Sequence, residues 1–146
     1  MYATRSLILA LAATALAVPA ALGQNIHTSR LYEQILENIT FAEPGTILDS
    51  FGVVRMTAGT TASVFLDVPV ESPIRIMGDC DTDCVDLDLA VYSSAGENLG
   101  SDVLIDNYPI VNVDSGEDGR LEIIFNMVDC QASYCYAAYS VFVPGQ

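Results

Sequence analysis

The sequence contains no lysine and no tryptophan, and its only histidine is His27. Five arginines stand against nineteen aspartates and glutamates, for a net charge of −14. A surface this short of cations excludes nucleic acid and anionic membranes as partners, because both require basic patches. It favours cations, basic partners or a salty medium. With its one histidine outside the β region, the chain is not expected to build a Ser-His-Asp or Cys-His arrangement on its core. Without tryptophan, a sugar platform would rest on a few tyrosines. Beyond residue 23 no stretch is apolar enough to span a bilayer.

The first 23 residues read as an export signal. Arg5 gives a positive start, Leu7 to Val18 is a twelve-residue apolar run too short for a membrane span, and Ala21-Leu22-Gly23 places small residues before a cut ahead of Gln24. No cysteine follows the run, so a lipid anchor on the new N-terminus is not expected. All nineteen carboxylates and four of the arginines lie after residue 23, which leaves a mature charge of −15. The remainder is the size of one domain and is long enough to bury a real core. We divide it into a leader over residues 24–45 and a β-domain over 46–146.

Four cysteines in an exported chain read as two disulfides, with three possible pairings. The spacing favours Cys80–Cys84 and Cys130–Cys135, each at the end of a hairpin. Chain entropy favours bridges between the clusters, at about 4 kcal/mol against about 2 kcal/mol for each short loop. A zinc site competes, although these spacings are not those of the usual zinc ribbons.

Residues 26–39 carry the only helical pattern. Leu31, Tyr32, Ile35, Leu36 and Ile39 recur on one face, Thr28 or Ser29 could cap the start, and Glu43-Pro44-Gly45 ends it. The chain then reads as β-strands over 46–56, 61–68, 74–79, 85–92, 104–106 with 110–113, 120–128 and 136–143. Turns rich in Gly, Pro, Ser, Asp and Asn separate them. Val85, Leu87, Leu89 and Val91 share one face, as do Leu121, Ile123, Phe125 and Met127, and Ala137, Tyr139, Val141 and Val143. Short alternating strands without crossover helices predict an all-β antiparallel sandwich.

The densest feature is Asp79-Cys80-Asp81-Thr82-Asp83-Cys84-Val85-Asp86-Leu87-Asp88-Leu89. Residues 79–118 hold eleven carboxylates and no cation. Calcium takes six to eight oxygen ligands, and two acidic turns meeting at one end of a sandwich could supply several. The candidate ligands are Asp79, Asp81, Asp83 and Asp86, with Asp102 or Asp106 from a neighbouring loop. The spacing is not that of an EF-hand. A solvated acidic loop is the alternative. Asp88, mid-strand, is assigned a structural role such as capping. Tyr108, Tyr134 and Tyr136 are the candidate binding face, with hairpin packing as the plainer alternative. Asn38-Ile39-Thr40 is a glycosylation sequon.

The run Asp86-Leu87-Asp88-Leu89-Ala90-Val91-Tyr92 with the turn Ser93-Ser94-Ala95-Gly96-Glu97-Asn98 resembles the bacterial pre-peptidase C-terminal domain. So do Asp106-Asn107-Tyr108-Pro109-Ile110-Val111 and Gly119-Arg120-Leu121-Glu122-Ile123. The likeness covers roughly residues 60–144. It implies a jelly-roll sandwich without catalytic activity that accompanies exported enzymes in secretion, processing or adhesion, with calcium at acidic turns in some relatives. No enzyme domain is expected beside the module, and the cysteine clusters are additions to the common pattern.

The expectation is therefore a secreted or periplasmic binding or adhesion module for an extracellular protein or polysaccharide, with calcium as its candidate cofactor. A structural envelope or matrix protein is the alternative. A carboxylate-dependent hydrolase is the third reading, and paired carboxylates are too abundant here to single out a catalytic pair.

Overall fold

The computed structural model describes residues 26–145, so the expected export signal over 1–23 lies outside the described residues. The elements run α1 (Ile26–Phe41), β1 (Thr46–Met56), β2 (Thr60–Asp67), β3 (Pro73–Cys80), β4 (Cys84–Ser93), β5 (Asn98–Asp102), β6 (Ile110–Asp114), β7 (Arg120–Cys130) and β8 (Cys135–Pro144). The strands form two antiparallel sheets, ordered β1-β8-β3-β6 and β2-β7-β4-β5. Successive strands mostly alternate between the sheets, and this eight-stranded order is that of a jelly roll. The expected all-β sandwich is the fold.

Period-two alternation builds the core. Leu87, Leu89 and Val91 of β4 and Leu121, Ile123, Phe125 and Met127 of β7 are buried from one sheet, and they meet Ile74, Ile76, Ala137, Val141 and Val143 from the other. Each large aliphatic or aromatic side chain so buried contributes about 1.5–3 kcal/mol. Tyr139 stacks on Phe125 with ring centroids 6.5 Å apart. Its ring fills the space over Gly52, where an added Cβ would lie 2.6 Å from it.

Three sequence expectations need correction. Val85 is exposed, because the β4–β7 register shifts on both sides of Asp86 and turns Val85 away from the face of Leu87. Residues 104–106 form loop, while the strand lies at Asn98–Asp102, whose Asn, Gly and Ser carry no alternating apolar pattern. The helix already includes Ile26, so Thr28 and Ser29 lie inside it.

The described part of the segment before the β-domain, from Ile26, packs on the sandwich. Helix α1 lies on the outer face of the first sheet, where Leu31 and Ile35 bury against Ala138 and Tyr136 of β8. Tyr32, Leu36 and Ile39 remain 59%, 45% and 45% exposed, so the five apolar residues split into two stripes.

Both disulfides follow the local pairing, Cys80–Cys84 and Cys130–Cys135. They close neighbouring turns, since Cys84 lies opposite Cys130 in the ladder and the Gln131 amide donates to the Asp83 carbonyl.

Candidate functional site

Beside α1 the first sheet leaves a cleft of about 600 Å³. One wall is the helix flank carrying Arg30, Gln34, Glu37, Asn38 and Phe41. The floor and far wall come from the end of β3, Asp81 and Thr82 of the clipped turn, and Asn107, Tyr108 and Ile110. The sequence places these groups together in simple steps. Asn38 continues the Leu31–Ile35 stripe by one further turn, so it faces the sheet. Asp79 occupies the outward side of β3, beneath it.

Asp79 is 4% exposed, and its Oδ2 accepts a 2.6 Å hydrogen bond from Asn38 Nδ2. Burial pushes its carboxyl up to about 6; the Asn38 bond and Arg30 oppose that rise, and Glu37 adds to it. At neutral pH the group is ionised in a nearly dry place. Gln34 Oε1 is also buried, without a hydrogen-bond partner. Phe41 and Tyr108 stand at the rim, 74% and 59% exposed. The cleft thus offers buried acceptors between two exposed rings, a setting for a ligand that donates hydrogen bonds.

A smaller hollow of about 260 Å³ lies near Arg75, Asn112 and Phe142 on the same face. Its cation is already engaged: Arg75 donates to Glu43 at 2.6 Å and to Asn112 at 2.8 Å.

The six candidate calcium ligands serve separate ends. Asp79 faces α1, while Asp81 Oδ2 accepts from the Tyr136 amide at 2.9 Å. Asp83 sits in the clipped turn. Asp102 ties down the 103–109 loop by accepting from the amides of Leu104 (3.2 Å) and Ile110 (2.9 Å). Asp106 accepts from the Tyr108 amide at 3.1 Å. Asp86 is half-buried with Oδ1 unpartnered, and its carboxyl is raised by burial and then by the charges of Asp88, Asp106 and Asp129. Asp88 accepts from Asn126 across the β4–β7 ladder at 2.9 Å. Among the described residues no three Asp, Glu, His or Cys side chains are gathered so as to hold a metal ion.

The three tyrosines do not form one face. Tyr108 lines the cleft. Tyr134 and Tyr136 meet edge to face at 5.6 Å, with the Arg55 guanidinium 5.0 Å above the Tyr134 ring, and Tyr136 props α1. The sequon asparagine is Asn38 itself, buried and bonded through the very nitrogen that would carry a glycan. Asn38, Gln34 and Phe41 are site residues that the sequence reading did not assign. The position of Asn38 on the buried helical stripe was the available clue.

No protein-family profile matches this chain, and no curated protein matches it significantly. Among the described residues no helix is long and apolar enough to cross a membrane.

Proposed function

We propose that this protein is an exported, non-catalytic binding module whose ligand seat is the cleft between α1 and the first sheet, and that it is a relative of the pre-peptidase C-terminal domain. One observation carries the seat. Asp79 is buried, ionised at neutral pH and bonded through a single oxygen, at the wall of an open cleft flanked by exposed rings. Such a group weakens the fold, and groups kept at that cost concentrate where ligands bind. The ligand class is a hydrogen-bond donor, either a hydroxyl-rich saccharide or an ammonium group of a basic peptide. The two disulfides suit an oxidising compartment. The family reading is supported by the jelly-roll order and by the resembling segment 86–98 falling on β4 and its turn into β5.

Calcium at the acidic rim is a second reading. Mutual repulsion among Asp86, Asp88, Asp106 and Asp129 favours it, although these side chains would have to draw together to ligate.

Titration calorimetry against saccharide and basic-peptide panels, with melts in calcium or EDTA, tests both readings. The expected result is a ligand whose binding Asp79→Asn and Tyr108→Ala each weaken by about tenfold or more. Binding that neither variant changes would remove the cleft from the reading. A calcium-selective rise in Tm, abolished by Asp86→Asn, would support the second reading, and identical melts would end it.

A further inference from the structure

The four sheet edges are unequal. β5 and β6 are five residues long, and β2 turns Thr61, Ser63, Phe65 and Asp67 outward. β1 has eleven residues, from Thr46 to Met56, no proline and no lysine, and among the described residues no strand is bonded to its outer edge. Proteins usually shorten or charge an edge of this kind, since it is a template for another strand. β1 has a single bulge at Asp49 and runs in unbroken register with β8 from Ser50 to Met56. Its outer face is apolar where Phe51 and Val53 are 55% and 48% exposed.

The helix adds to this surface. The cleft takes the α1 flank of Arg30, Gln34 and Glu37. At 100° per residue, Tyr32, Leu36 and Ile39 fall on the opposite flank, towards β1. These residues and Phe51 and Val53 therefore border one strip beside a free strand edge.

We infer that this strip is the interface for a second copy of the chain, joined β1 to β1 in antiparallel register about a two-fold axis at Gly52. An isologous contact needs a surface that complements itself, and the sequence of β1 supplies one. With Gly52 opposite its own copy, Phe51 lies opposite Val53 of the second copy and Val53 opposite Phe51. Asp49 comes beside Arg55 of the second copy, and Arg55 beside Asp49. Opposite charges and aromatic–β-branched pairs are the favourable cross-strand combinations. Shifting the axis to Phe51 or Val53 pairs Asp49 with Val53, or Phe51 with Arg55, and loses the charge match. The two-fold extends the first sheet to eight strands. It also sets both α1 helices on one face, with their Tyr32–Leu36–Ile39 stripes towards the seam. The paired chains add strand hydrogen bonds to this apolar contact, as in recognition by strand addition.

The test is sedimentation equilibrium of the oxidised protein at physiological salt, compared with Asp49→Arg, Arg55→Asp and the double swap. The wild type is expected to be a dimer. Each single reversal sets like charges together twice and should weaken the dimer by about tenfold or more, while the double swap should recover most of that loss. Melting temperatures of the variants, all altered at exposed positions, separate lost association from lost fold. A chain that stays monomeric to the highest soluble concentration would overturn the inference. So would a dimer indifferent to the single reversals, or one that the double swap fails to restore.

Discussion

Asp79 shows most clearly how one residue can oppose the stability of its fold. Its carboxyl lies near 6 in the folded chain and near the ordinary 3.8 in the unfolded chain. Between these values the native state binds more protons than the unfolded one, so stability falls as pH rises through the window. Above about pH 6 the accumulated cost is about 3 kcal/mol. Asp79→Asn keeps an acceptor for Asn38 and removes the charge. Chemical denaturation from pH 4 to 7 should show the variant more stable than the wild type at pH 7, by about 2 kcal/mol, with the difference vanishing near pH 4. A constant difference across the range would mean that the carboxyl titrates normally. The carboxylates of Asp102 and Asp106 do other work, since each holds nearby loop amides. Sequence shows their charge density without direction, so these loop contacts were not legible in it.

At the scale of the element, α1 depends on a narrow contact. Leu31 and Ile35 supply its buried apolar side chains, and Asn38 its buried polar tie. A helix of sixteen residues is marginal alone in water, so this docking accounts for most of its order. Ile35→Ala should cost about 2–4 kcal/mol of docking. Hydrogen exchange is the measurement that checks it: amides of α1 should exchange faster while those of β4 and β7 keep their protection. Uniform acceleration would show that the helix and sandwich unfold as one unit. The strands differ in how plainly they could be read. β7 was legible because it alternates from Arg120 to Met127, and β8 because it is long and apolar, although burial in it runs on through Ser140–Val143. β5 was not, because Asn98-Leu99-Gly100-Ser101-Asp102 owes its place to pairing with β4 rather than to its own pattern.

For the whole molecule, the question is what the disulfides add to a core that already closes. Each bridge spans a short loop, at sequence separations of four and five, and so contributes about 2 kcal/mol through the unfolded chain. The jelly-roll core contains no further crosslink among the described residues. Reduction should lower the Tm by roughly ten degrees and leave a cooperative transition, which calorimetry with and without reductant would show. Complete unfolding at room temperature would mean that the core does not stand without the clips. The acidic balance of the chain acts at this scale too, favouring basic or cationic partners over anionic ones whatever occupies the cleft.

The sequence alone determined the sandwich, because strand alternation is a local property that dictates which face must leave water. It determined the polarity of the surface by composition, and its spacing pointed to the short disulfides. Only the tertiary structure decided which carboxylates meet which partners. Asn38 and Asp79 lie far apart in sequence and come together because α1 lies across β3, a docking that no local pattern encodes. The same holds for the split of the helical apolar residues and of the three tyrosines. Their surroundings come from the order of strands, and the cleft exists only after the helix has settled beside the sheet.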